Sequence, residues 1–202
     1  PAMKATFSSL LAFFAVLVVL IGAPGCQSYD QLISLDEKAS ASWADYEVQL
    51  QRRADLVPNL VSTVKAQAKY EEEALTAVTK ARSEATSVKL SADDLTDPAK
   101  VAQFEKAQEG LKGSLSRLMV SNEKYPELQA NQAFMGLQKE LAGTENRIAK
   151  ARGDYNDSVR LYNTELAKIK GQAINKITGK AFKPRVYFSA SEGAKDAPKV
   201  QF

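Results

Sequence analysis

The chain has 202 residues, with 27 Lys and Arg against 24 Asp and Glu, a formal charge of +3 that gives no whole-protein reason to expect nucleic acid as a partner. It contains no His and a single Cys. Zinc, copper and non-haem iron sites lean on imidazole and thiolate, and nucleophilic triads lean on His, so those function classes are excluded before any motif is read and no cofactor is expected.

Residues 7–23, FSSLLAFFAVLVVLIGA, carry no charge and follow Lys4, the layout of a secretory signal. At 17 residues the run sits at the lower limit for a membrane-spanning helix. Cys26 follows directly, in Ala23-Pro24-Gly25-Cys26, where a lipoprotein would carry its lipid attachment. Two readings stand side by side: a processed lipoprotein acylated on Cys26, and an uncleaved signal anchor in which Cys26 is incidental. Both place the chain on a membrane. With Lys4 before the run and Asp30 and Asp36 as the first charges after it, the soluble part is expected on the periplasmic or extracellular side.

From residue 28 onward the pattern is helical. Ala39, Trp43, Tyr46, Leu50, Arg53 and Val57 recur at spacings of 3 and 4, the seam of a packed or coiled-coil helix. Pro58 interrupts the seam, so the sequence allows one kinked helix or a second helix starting there. The period resumes at Val61 and Val64 and runs on through Leu75 and Val78. Asp97-Pro98 reads as an N-cap with Pro in the first turn, opening a helix with Val101, Phe104, Gln108, Leu111, Leu115 and Leu118 on one face. A last helix is expected after Pro126, about 48 residues and roughly 70 Å long, carrying Phe134, Leu141, Thr144, Ile148, Tyr155, Tyr162 and Ile169. Only residues 185–188 hint at a strand's alternation. The expected fold is all-α, an elongated antiparallel bundle of about four long helices. Its expected divisions are a signal or anchor over 1–25, the bundle over 26–180 and a flexible tail over 181–202.

Two blocks put polar groups where the helical period asks for apolar ones: QLQRRADLVPNLV at 49–61 and YPELQANQAFMGLQKELAGTENRIAKARGDYNDSVRLYN at 125–163. With VTKAR at 78–82 and APKVQF at 197–202, they resemble the signature blocks of the LemA family, over nearly all of residues 28–202. The resemblance implies a helical, envelope-associated bacterial protein without established enzymatic activity.

Arg53 sits on the apolar stripe of the first long helix and Thr144 on that of the last, flanked by Glu145 and Arg152. A buried guanidinium is tolerated only when paired and hydrogen-bonded, so Arg53, Glu145 and Arg152 are expected in one polar network, Glu145 being the first-choice partner of Arg53. Such a network either binds a ligand or sets the register between helices. Near the C-terminus, Lys176, Lys180, Lys183 and Arg185 occur without an intervening acid and beside Phe182, Tyr187 and Phe188, a pattern suited to an anionic lipid or envelope polymer. A solvated helix end explains the same charges. The expected function is that of a non-enzymatic scaffold or interaction partner, with membrane shaping through anionic lipid as the alternative. The expected partners are the membrane, an envelope protein that the sequence does not name, and a second copy of the chain.

Overall fold

The structure, a computed structural model, describes residues 2–66, 72–121, 125–168, 172, 175–176 and 182–189, with the backbone alone for 2–28, 121 and 129. The fold is all-α, with no strand among the described residues. Its helices are α1 (Ala2–Ala66), α2 (Glu72–Ser87), α3 (Pro98–Ser121), α4 (Pro126–Gln129) and α5 (Gln132–Ala167), and a single 3-10 turn at Asp94–Thr96 precedes α3.

Three local features fix these bounds. Pro58 does not end α1; the helix runs through it. Proline has no N–H, so the carbonyl of Ala54, four residues back, loses its helical donor. Arg82 of α2 supplies a substitute, its Nε donating to that carbonyl at 2.8 Å. At the start of α3, Asp97 caps as expected, its side chain accepting from the Ala99 amide at 2.9 Å. The long last helix is shorter than expected. It is broken at Ala130 and Asn131, because the Asn131 side chain accepts from the Phe134 amide at 3.0 Å and restarts the helix there.

By contacts the chain divides into two compact units. One comprises Ser40–Asp157 and Arg185–Phe202. Its core takes Val57, Leu60 and Val64 from α1, Leu75 and Val78 from α2, Leu111, Leu115 and Leu118 from α3, Leu128 from α4, and Phe134 and Leu141 from α5. At roughly 1.5–3 kcal/mol for each such side chain removed from water, this cluster supplies most of what holds its helices together. The second unit comprises Pro1–Ala39 and Ser158–Pro184. There Leu32, Tyr162, Leu166 and Phe182 pack together, and the buried carboxylate of Glu165 accepts from Lys168 at 2.5 Å and Gln31 at 3.4 Å.

Residues 182–189 are not the start of a tail. Within the first unit, the Val186 amide donates to the Leu95 carbonyl at 2.8 Å, and the side chain of Asn156 brackets the backbone of Phe188 in both directions, at 2.8 and 2.9 Å. Within the second, Asn175 brackets Phe182 in the same way, at 2.9 and 3.1 Å. An irregular segment has no ladder to satisfy its amides and carbonyls, and these two asparagines do it instead. Residues 190–202 lie outside the described residues.

Candidate functional site

The first unit contains two adjacent layers along α1. The upper is aromatic: Trp43, Tyr46, Phe104, Tyr155 and Phe188 all meet, with Phe188 stacked on Trp43 at 5.4 Å and 6°. The three remaining ring pairs of Phe188 are edge-to-face, the arrangement that brings the positive edge of one ring to the negative face of another. Burial pushes the hydroxyls of Tyr46 and Tyr155 up to about 12, in each case against the pull of nearby guanidinium groups.

The lower layer is charged. Arg53, 2% exposed, donates from Nη1 to Glu145 Oε1 at 3.0 Å and from Nη2 to the side-chain oxygen of Gln108 at 2.7 Å and its carbonyl at 3.2 Å. Gln108 in turn donates to the carbonyl of Ala85 at 3.0 Å. Four helices are thereby tied by one guanidinium: α1 through Arg53, α2 through Ala85, α3 through Gln108 and α5 through Glu145. Arg53 Nε–H has no acceptor among the described residues.

Arg53 and Glu145 are thus brought together. Thr144 belongs elsewhere: although fully buried, its hydroxyl donates to the Glu140 carbonyl of its own helix and accepts from Arg147. Arg152 lines the same cleft as Arg53 and Glu145, and its charge is felt at Tyr46 of the aromatic layer. Sequence reasoning missed Gln108. Its signal was present, a polar residue at a seam position of α3, but nothing in the pattern of α3 alone shows that an arginine of α1 faces it.

A cleft of about 670 Å³ opens beside the charged layer, walled by α1, α3 and α5 and including Arg53, Glu145 and Arg152. No group of acids and thiols suited to a metal occurs among the described residues.

The basic segment is rearranged relative to expectation. Arg185 does not face a surface; it is 7% exposed and donates to Ser40 Oγ at 2.7 Å. Phe182 and Phe188 are likewise buried in the two cores, because each is held by its asparagine bracket and ring neighbours. Lys176 and Lys183 are exposed, Tyr187 is 47% exposed, and Lys180 lies outside the described residues. Cys26 and the apolar run before it lie outside the residues whose side chains are described. Among the described residues searched, no helix is long and apolar enough to cross a membrane.

Helices that share one apolar core, tied across by a buried arginine, define an all-α bundle protein with a charged interior layer. This chain belongs to the LemA family, whose sequence profile matches residues 42–202. It is similar to Magnetosome protein MamQ 2 and Magnetosome protein MamQ 1 of Paramagnetospirillum magneticum, each 28% identical over 208 residues, covering 95% of this chain and 72% of the relative. Magnetosome protein MamQ of Magnetospirillum gryphiswaldense is 27% identical over 212 residues, with the same coverage.

Family blocks acquire physical roles in this structure. Pro58 of the first block opens a carbonyl that Arg82 of VTKAR closes. TENRI supplies Glu145 to Arg53. Three residues of the Tyr-Asn pairs hold residues 183–188: Tyr155 donates to the Val186 carbonyl at 3.4 Å, Asn156 brackets Phe188, and Tyr162 donates to the Lys183 carbonyl at 3.1 Å.

Proposed function

We propose that this chain is a membrane-anchored, non-enzymatic bundle of the cell envelope that serves as a scaffold or interaction partner, with its soluble part on the periplasmic or extracellular side. The observation that carries this reading is where the charged side chains of its signature blocks are spent. Arg53, Glu145 and Arg82 bind other helices of the same chain, so these polar residues of the family blocks hold the bundle together, which supports a structural rather than a catalytic role. In this reading the uncharged run of residues 7–23 directs export and is removed with residues 1–25, and the lipid on Cys26 is the anchor. Similarity to proteins named for the magnetosome supports a role at a cellular structure.

The test is fractionation of cells making the full chain, followed by intact mass and protease treatment of spheroplasts. The expected result is a carbonate-resistant membrane protein, acylated and starting at Cys26, that external protease degrades. A chain recovered in the soluble fraction, or protected inside spheroplasts, overturns the reading. Crosslinking in intact cells then identifies the partner.

The membrane-shaping alternative keeps some support from the exposed Lys176 and Lys183. It loses Arg185, Phe182 and Phe188, which are buried. Salt-dependent cosedimentation of the full chain with anionic but not neutral vesicles would favour it.

A further inference from the structure

We infer that the cleft beside Arg53, between α3 and α5, is a docking groove for residues 190–202 of this same chain, bound as an extended segment. The segment enters at the rim. Ser189, the last described residue, lines the cleft and is held there by Glu105, which accepts from its amide at 2.6 Å and its hydroxyl at 3.4 Å. The sequence that follows, ASEGAKDAPKVQF, opens with small residues and closes on Pro198, Val200 and Phe202, alternating with Lys199 and Gln201. That period of two puts the three apolar side chains on one face of an extended chain and the two polar ones on the other. A segment patterned in this way docks by laying its apolar face on a matching surface. The family profile runs on through the segment to residue 202, so these residues belong to the pattern the family shares.

The groove supplies both room and surface. Gly110 and Gly113 line it on α3. A Cβ built on Gly110 would meet nothing within 4 Å, and one on Gly113 would meet only the tip of Arg117 at 4.0 Å. Glycine weakens a helix relative to alanine, and no packing contact within the bundle asks for it here. A main chain laid along α3 uses that space. Arg53, 2% exposed and also lining the cleft, keeps its Nε–H without an acceptor among the described residues. A chain laid over it brings backbone carbonyls, the acceptor class this donor lacks. Past the cleft the two stripes continue into apolar surface. Val120 follows Gly113 and Arg117 on α3 at steps of 4 and 3, and Met135 precedes Gln138, Ala142 and Asn146 on α5 at steps of 3, 4 and 4. Val120 is 67% exposed and Met135 48%, two of the five large apolar side chains left open among the described residues. From Glu105 to Val120 the helix advances about 22 Å, which an extended chain crosses in about seven residues. A segment of 13 residues therefore brings Pro198, Val200 and Phe202 within reach of both. This inference goes beyond the scaffold reading, for it names a surface and its occupant, and it holds whether or not the chain is exported.

The experiment is photocrosslinking on the full chain in uncharged detergent, with benzoylphenylalanine replacing Met135 and the linked peptides mapped by mass spectrometry. A link to residues 190–202 at the mass of one chain is the expected result. The same probe replacing Val48, 60% exposed on α1, gives no such link. Val200→Ser combined with Phe202→Ser removes the apolar face without altering the bundle, and lowers the yield roughly tenfold or more. Gly110→Leu, which fills the groove, also lowers it while the thermal melt shows the fold intact. A link found only at the mass of two chains gives the groove to a second copy and overturns docking of the chain's own segment. The inference is equally overturned by no link to residues 190–202, by an equal yield from the Val48 probe, or by a yield the paired serine substitutions leave unchanged.

Discussion

The aromatic layer around Trp43 and the charged layer around Arg53 lie next to each other in one unit, yet they hold their helices by opposite means. Phe188 contributes shape: it meets Trp43, Tyr46, Phe104 and Tyr155, and any of these contacts tolerates a small shift. Arg53 contributes direction, with three hydrogen bonds between 2.7 and 3.2 Å that fix the register of α1 against α3 and α5. The contrast teaches that burial alone does not define the bundle: one layer supplies cohesion, the other selects which helix faces which.

The largest expected effect breaks the aromatic side. Phe188→Ala removes a ring that is 2% exposed and leaves a cavity at the centre of the cluster, with an expected cost of about 4 kcal/mol in denaturant unfolding. An unchanged midpoint would return residues 185–189 to the status of a loose tail. Arg53→Ala breaks the charged side. It strips Glu145 and the Gln108 carbonyl of their donor, and because Glu145 is 28% exposed and can recover water, the expected loss is about 3 kcal/mol. A double variant with Glu145→Gln should then cost less than the sum of the two single changes.

Alkali separates the layers further. Tyr46 and Tyr155 have folded-state values of about 12, above their ordinary value near 10. Their contribution is therefore complete below pH 10 and is lost as pH rises from 10 towards 12. Melting temperature should fall across that window, and ultraviolet titration should show these phenols ionising after the exposed ones. The smallest effect concerns the proline gap. Arg82→Ala should cost about 1 kcal/mol, and the cost should shrink in a Pro58→Ala background, where the Ala54 carbonyl regains its helical donor. Equal cost in both backgrounds would mean that Arg82 acts through packing alone.

Much of the charged layer was legible because both of its ends lie on periodic helices. Arg53 breaks the apolar seam of its helix, and Glu145 flanks the seam of the last one. The aromatic layer was legible only in part. Trp43, Tyr46, Phe104 and Tyr155 sit on helical periods, but Phe188 comes from an irregular stretch whose position depends on Asn156, Leu95 and Ser40, each distant in sequence. Period carries no information about such a stretch, and its basic residues made it read as a solvent-facing surface. The course of α1 through Pro58 was undecided for a similar reason, since the residue that closes the gap, Arg82, stands 28 positions from the carbonyl it serves. The break at Asn131 was missed although its cue was local, an Asn three residues before the first apolar position of α5.

The bond from Arg185 to Ser40 joins positions 145 apart, and Phe188 enters its cluster alongside it. A ribosome delivers Trp43 long before it delivers Phe188, so a nascent chain holds the aromatic cluster open until the 145 residues between them have emerged. Closing it demands the largest loop entropy among the contacts described in this unit. Since Trp43 is the sole tryptophan and stacks directly on Phe188, its fluorescence is a built-in clock for the closing of this cluster.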